Sequence, residues 1–132
     1  MKKDIPQHKV LDLAIAVVPD DQDENIWQSY VINLKDEQIT NVLINSKGYG
    51  KRDGEEIKTS VLRHFFESIG PLQMHKIEPI PSDLVGLTNE YWVSFSHEGY
   101  MYDKKYVFVP GSLNELNFTL IPFLNKKGVM IR

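Results

Sequence analysis

Short apolar runs alternate with polar turns along most of the chain, and this pattern predicts strands. Runs of four to ten residues rich in β-branched and aromatic side chains, bounded by polar clusters, are typical of strands. The predicted strands span residues 10–18, 26–34, 39–45, 72–80, 91–96, 100–109 and 128–132. The polar segment 35–38 is short enough to join the second and third of them as a hairpin.

The segment between residues 46 and 58 is rich in glycine and charge. Such a composition buries little apolar surface, so it predicts an exposed loop or a ragged hairpin with its tip at Asp53-Gly54. His97-Glu98-Gly99 is predicted to be a turn, and a short helix is expected to begin at Ser112.

One segment has helical rather than strand spacing. Thr59 or Ser60 can cap a helix start, and Gly70-Pro71 can end it. The apolar positions between these signals recur at helical intervals and form one face. These positions, which we expect to be buried under the sheet, are Val61, Leu62, Phe65, Phe66 and Ile69.

These elements predict an α+β fold. We expect a single domain over residues 1–132, with an antiparallel-rich sheet of about seven strands and one main helix packed on one face. At 132 residues with 42% apolar side chains, the chain is long enough to bury a core without disulfides or metals.

Composition narrows the possible chemistry. The chain carries 15 basic against 18 acidic residues, a net charge of −3, which argues against a broad nucleic-acid clamp. It has no cysteine, which excludes thiolate catalysis and cysteine-ligated zinc. Neither a signal peptide nor a membrane-spanning run is recognisable. We therefore expect a cytoplasmic protein that does not enter a membrane.

No catalytic or metal motif stands out. The histidines at positions 8, 64, 75 and 97 have no ligand spacing, and GxSxG is absent. We therefore predict no cofactor, no metal and, most simply, no catalysis. Distant residues can still meet in the fold, so an enzyme with a dispersed site stays open as a third interpretation.

Basic residues cluster around the predicted helix start, where free backbone N–H groups and the helix dipole favour anions. The phosphate-loop patterns GxxxxGK[ST] and GxGxxG do not match, so the alternative is a solvated turn beside a capped helix. The candidate anion- or RNA-binding residues in this segment are Lys47, Tyr49, Lys51, Arg52, Lys58 and Thr59.

Two strands resemble the contact motifs of the RNA-recognition-motif family. The run SYVINL at 29–34 is similar to the first motif, and KKYVFV at 104–109 is similar to the second. The resemblance implies sheet aromatics that stack on unpaired bases. It adds Lys104 and Tyr106 to the candidate RNA-binding residues, and strand alternation adds Tyr102 on the same face. The alternative is that these aromatics are ordinary packing residues.

A wider resemblance rests on LRHFFESIGP, EYWVSFSHEGYMYDKKYVFVPGS and NKKGVMIR. These segments resemble a small uncharacterised bacterial family, some members of which are labelled phenylalanyl-tRNA synthetase β-subunit. The resemblance implies at most an accessory domain, with an analogy to the ferredoxin-like α+β anticodon-binding domain of that subunit.

The leading interpretation is a non-catalytic binding or interaction domain, with a protein partner or a second copy as its target. The alternative is an RNA- or tRNA-associated accessory domain that uses sheet aromatics and the local basic loop. Strand alternation places Tyr100, Tyr102, Tyr106 and Phe108 on one face of their strand. Which face packs inside the protein decides between the two.

Overall fold

The computed structural model describes residues 9–132, and within them the chain is built from strands. Strand accounts for 62% of the chain and helix for 5%. The strands are β1 (Leu13–Pro19), β2 (Ile26–Asn33), β3 (Ile39–Arg52), β4 (Glu55–Lys58), β5 (Leu62–Ile69), β6 (Met74–Pro81), β7 (Thr88–His97), β8 (Tyr100–Phe108), β9 (Thr119–Ile121) and β10 (Lys126–Ile131).

The strands form two antiparallel sheets. Sheet I has the order β6-β2-β1-β10-β9. Sheet II has the order β4-β3-β7-β8, and β5 also pairs with β3 on the edge that carries β4. The long strand β3 is therefore flanked on one side by two short strands that follow each other along it.

The main core lies between the two sheets. Alternate residues of β1, such as Leu13, Ile15 and Val17, pack against inward-facing residues of β7 and β8, such as Val93 and Tyr106. The intervening residues of β1 belong to a second, smaller apolar cluster on the other face of sheet I. The residues of that second cluster that are buried are Ala14, Ala16, Val18, Tyr30, Ile32 and Ile121. Because β1 is buried on both faces, it lacks the polar alternation of a surface strand.

The predicted helix is wrong, and with it the α+β class. Residues 62–69 form β5, and helical structure in the described chain is limited to two 3₁₀ turns, Ser82–Leu84 and Glu115–Asn117. Phe65 is 61% exposed, and Val61 and Leu62 are also exposed, while Ile69 is buried and Phe66 half-buried. The apolar positions therefore lie on both faces of a strand, and pairing with β3 outweighs a helical spacing over two turns.

The predicted hairpin between residues 26–34 and 39–45 is also wrong. These strands are β2 and the start of β3, and they belong to different sheets. Segment 34–38 crosses from one sheet to the other, as does segment 70–73 between β5 and β6. The two crossings lie side by side, since the Leu72 amide donates to the Lys35 carbonyl and the Asn33 amide donates to the Gln73 carbonyl.

Two predicted turns are confirmed. Asp53 and Gly54 form the tip of the β3–β4 hairpin with φ values of 53° and 81°, and Glu98 and Gly99 join β7 to β8 with φ values of 51° and 81°. The expected loop at 46–52 is instead strand, because the charged residues pair across the hairpin. The helix expected from Ser112 reduces to the second 3₁₀ turn.

The structure offers no membrane-spanning helix anywhere in residues 9–132. His8, one of the histidines considered as a ligand, lies outside the described residues.

Candidate functional site

The candidate site lies at a gap in one edge of sheet II, between β4 and β5. At the gap the Thr59 amide donates to the Gly48 carbonyl at 2.9 Å, and the Gly48 amide donates to Thr59 Oγ1 at 2.7 Å. The next residues leave β3, and pairing resumes where Leu62 lies opposite Ser46. The edge of the sheet is therefore interrupted over Ser60 and Val61.

A cavity of about 230 Å³ opens at this gap and reaches toward β6 of sheet I. Its apolar walls come from Leu62, Ile80, Leu84 and two prolines at positions 79 and 81. Its polar side chains are Ser46, Lys47, Thr59, Ser60, Glu78, Asn89 and Tyr91. Small-molecule sites are typically apolar hollows with a few placed polar groups, and this cavity has that character.

Among the described residues, Glu78 is the one acidic residue that lines the cavity. It comes from β6, its side chain is 13% exposed, and its Oε1 atom accepts two hydrogen bonds from sheet II. Ser46 Oγ donates at 2.6 Å, and His64 Nε2 lies at 2.7 Å. Because an ionised carboxylate only accepts, His64 Nε2 carries the proton. The other oxygen, Oε2, has no hydrogen-bond donor among the described residues.

Neighbouring hydroxyl groups fix the position of Glu78. The backbone amide of Glu78 donates to Ser29 Oγ at 3.2 Å, and Ser29 Oγ donates to the Glu78 carbonyl at 2.9 Å. Burial raises the pKa of the Tyr91 phenol, the Ser29 hydroxyl beside it acts in the opposite direction, and the Glu78 charge raises it further. Tyr91 is therefore a proton-bearing hydrogen-bond donor at neutral pH.

Four of the predicted anion-binding residues lie together on the outer side of the gap. Lys47, Tyr49, Lys58 and Thr59 line a second hollow of about 380 Å³. The positive charge there is partly offset, because Lys47 Nζ lies 3.7 Å from a carboxylate oxygen of Glu90. The Tyr49 hydroxyl donates to the other oxygen of Glu90 at 3.1 Å.

The remaining basic residues of the prediction point elsewhere. Lys51 belongs to a separate depression along the hairpin, with Tyr49 and Lys58. Arg52 Nη1 lies 3.7 Å from the Asp83 carboxylate and donates to the Asp83 carbonyl at 3.0 Å. The helix N-terminus that was expected to assist anion binding does not exist, because Thr59 lies between two strands.

The predicted RNA-binding residues of β8 face the interior. Tyr106 is fully buried, and its hydroxyl donates to the Leu13 carbonyl of sheet I at 2.6 Å. Lys104 Nζ donates to the Val10 carbonyl at 3.2 Å and lies over the Tyr106 ring. Tyr102 stacks on Phe95, with ring centroids 5.1 Å apart. The Tyr106 ring is therefore sealed off from any base.

Sequence reasoning missed the Ser46, His64 and Glu78 cluster. In the predicted helix His64 is not one of the buried apolar positions, whereas β5 alternation turns His64 and Phe66 toward the interior. The three residues belong to three strands, so no local motif joins them. A strand interpretation of 62–69 would have been the one signal that placed His64 inside.

Comparison with family models, with curated proteins and with solved structures gives no match for this chain.

Proposed function

We propose that the chain is a non-catalytic binding domain that holds a small ligand in the Glu78 cavity. The observation that carries this proposal is that only one of the two Glu78 carboxylate oxygens accepts hydrogen bonds from the described residues. Oε1 accepts from Ser46 and His64, while Oε2 has no donor among the described residues. Because Oε2 is not among the buried atoms that lack a partner, it is open to solvent, and a ligand hydroxyl or amino group can take the place of water on it.

The cavity selects for a ligand with a hydrogen-bond donor and an apolar side. An ionised carboxylate can only accept, so a hydroxyl or amino group is the match for Oε2. The walls from Leu62, Ile80 and Leu84 favour a hydrocarbon surface on the rest of the ligand. A small hydroxylated or amino compound fits both requirements within about 230 Å³.

The hydrogen-bond directions support binding rather than catalysis. A nucleophilic serine needs a base that accepts its proton and is itself free to do so. Ser46 donates to the same carboxylate oxygen that accepts a hydrogen bond from His64, at 2.6 and 2.7 Å. Because His64 bonds to Glu78 rather than to Ser46, the two side chains hold the carboxylate in place instead of activating the serine.

A fragment titration followed by amide NMR tests the proposal. The probes are small sugars, polyols and primary amines, added to the uniformly ¹⁵N-labelled chain. We expect the fragments that bind to shift the amides of Gly48, Thr59 and Glu78 together. Glu78→Gln replaces the free acceptor by a donor and should weaken these fragments about tenfold or more.

Two further variants make the result decisive. Ser60→Trp fills the mouth of the gap without touching the Glu78 hydrogen bonds, so it should abolish binding in a folded protein. Glu67→Gln removes an exposed carboxylate of β5 and should leave binding unchanged. Fragments that bind elsewhere, or that bind the Ser60→Trp variant equally well, would overturn the proposal.

RNA association is a second candidate, now on the outer face of sheet II. Trp92 is 44% exposed there, and Lys105 Nζ lies 4.9 Å from its ring centroid. Asn45 pairs with Trp92 on one side and with Arg63 on the other, so Arg63 adds a second cation on the same face, two strands away from the ring. Stacking on an aromatic side chain beside cations is how single-stranded nucleic acids are held.

Titration with a fluorescent single-stranded RNA at two salt concentrations tests this candidate. Trp92→Ala should weaken binding about tenfold, as expected for the loss of one stacked base. The control is Phe123→Ala, which removes an exposed aromatic ring elsewhere on the surface. Binding that is insensitive to salt or to Trp92→Ala would leave a protein partner as the occupant of this face.

The cytoplasmic location expected from the sequence also remains a proposal. Fractionation of cells that express the tagged full-length protein tests it directly.

A further inference from the structure

A second polar cluster lies at the far end of β7 from the Glu78 cavity. His97 is the last residue of β7, and Glu98 begins the turn that leads into β8. Glu37 lies in the segment that crosses from β2 to β3. One ligand atom from each of these three side chains lies within 4.8 Å of the other two.

The separations within this cluster match those of ligands that share one metal ion. His97 Nε2 lies 3.3 Å from Glu37 Oε1 and 3.6 Å from Glu98 Oε1. Two ligand atoms about 2.1 Å from a tetrahedral zinc ion lie about 3.4 Å from each other. The two distances to the histidine nitrogen are therefore close to those between zinc ligands, and the third separation, between the two carboxylates, is within 4.8 Å.

His97 Nε2 is a buried nitrogen without a hydrogen bond. The His97 side chain is only 10% exposed, and Nε2 is covered and finds no hydrogen-bond partner in the described chain. Glu37 Oε1 is close, but it does not lie in the direction needed to accept a hydrogen bond from Nε2. Buried polar atoms in proteins nearly always have a partner, so this nitrogen calls for one.

The backbone at Glu98 has the left-handed conformation of the two-residue turn between β7 and β8. Glu98 has a φ of 51°, a region that favours Gly, Asn and Asp over longer side chains. The equivalent turn at the tip of the β3–β4 hairpin has Asp53 at this position, with a φ of 53°. From this turn the Glu98 carboxylate approaches the His97 ring, with Oε1 3.6 Å from Nε2.

We infer that Glu37, His97 and Glu98 bind a divalent transition-metal ion, with zinc as the best match. One imidazole nitrogen and two carboxylate oxygens are ligands that zinc accepts, and three protein ligands leave one position for water. Both glutamates are exposed, so an ion can enter from solvent. The bound ion would join the β2–β3 crossing to the β7–β8 turn.

Calorimetric titration of the untagged, full-length protein with zinc chloride tests this inference. We expect one zinc site per chain, with much weaker responses to magnesium and calcium because these ions prefer all-oxygen sites. Glu37→Gln and Glu98→Gln should each weaken zinc binding about tenfold or more. Both side chains are exposed, so neither change should prevent folding.

The control is Asp36→Asn, which makes the same change of charge in the residue next to Glu37. It should leave zinc affinity unchanged. The imidazole ¹⁵N signal of His97 gives a second readout, because coordination through Nε2 should shift it in the wild type and not in Glu37→Gln. Zinc binding that survives both glutamate variants, or no binding at millimolar zinc, would overturn the inference and show that the cluster is an ion pair only.

Discussion

The side chain of Asn33 holds the two sheet crossings together, and its replacement gives the sharpest test of the fold. The side chain is fully buried at the end of β2. Its Nδ2 group lies 2.9 Å from the Glu37 carbonyl, 3.0 Å from the Gly70 carbonyl and 3.2 Å from the Ile69 carbonyl. Its Oδ1 atom accepts from the Lys35 amide at 3.0 Å. One amide therefore serves both segments that pass between the sheets.

The cost of Asn33→Ala follows from these contacts. The bond to the Ile69 carbonyl is buried, so its loss leaves an unsatisfied acceptor that costs about 1–3 kcal/mol. The bonds to Glu37, Gly70 and Lys35 are only partly buried, so water can replace much of them, at about 1 kcal/mol in total. We expect a loss of about 2–4 kcal/mol, a large fraction of the 5–15 kcal/mol of a typical domain.

Asn33→Asp separates hydrogen bonding from packing. Aspartate keeps the size and the acceptor for Lys35, but it turns an acceptor toward three carbonyl oxygens at neutral pH. We expect Asn33→Asp to be at least as destabilising as Asn33→Ala at pH 7. Burial should raise the pKa of this carboxyl above its ordinary value of about 3.9. The protonated carboxyl regains a donor. The loss of unfolding free energy in Asn33→Asp should therefore shrink as the pH falls from the raised pKa toward about 3.9, and it should be largest above the raised pKa.

Urea unfolding monitored by tryptophan fluorescence measures both variants. The matched control is Asn117→Ala, which removes an exposed amide that donates to the Ser112 carbonyl and should cost less than about 1 kcal/mol. Equal losses in Asn33→Ala and Asn117→Ala would refute the assignment of Asn33 as the link between the crossings. Wild-type stability of Asn33→Asp at pH 7 would refute it independently.

Three further results are expected. Tyr106→Phe should cost about 1–2 kcal/mol in urea unfolding because it removes the buried bond to the Leu13 carbonyl, and an unchanged midpoint would contradict that bond. Gly128→Ala should destabilise severely or prevent folding, because its new Cβ would lie 2.5 Å from the Val17 carbonyl oxygen; wild-type thermal stability would show that β10 is placed wrongly. Burial raises the pKa of Tyr91 and of Tyr106, so the stability they add is present below about pH 10 and declines as the pH rises above it; unfolding free energies measured across this range should fall less steeply when either is Phe.

The strands were largely predictable from the sequence, whereas their partners were not. β7 and β8 were found because aromatic and β-branched residues alternate with polar ones between clear turn signals. The segment 34–38 had the length and polarity of a hairpin turn, but it carries the chain to the other sheet. Segment 34–38 crosses to the other sheet where Asn33 contacts Ile69 and Gly70. These residues are distant in the sequence, so the local pattern of polar and apolar residues cannot predict the contact.

The error in β5 has a definite physical cause. Leu62, Phe65, Phe66 and Ile69 have helical spacing, but β5 carries large apolar side chains on both faces. Strand alternation is visible only when one face is polar. The outer face of sheet II has no covering layer among the described residues, yet it exposes Phe65, so the usual contrast between the faces is missing.

Asn33 and the inferred zinc site depend on the same turn. The Glu37 carbonyl accepts from Asn33 Nδ2, while the Glu37 side chain is one of the three zinc ligands. A ligand that binds only the folded state stabilises it in proportion to the logarithm of its concentration. Zinc should therefore recover part of the stability lost in Asn33→Ala, and at the same zinc concentration it should recover about 1.4 kcal/mol less when Glu37→Gln is added. The SYVINL run resembles an RNA-contact motif, yet its asparagine acts here as the buried anchor of the crossing that positions Glu37.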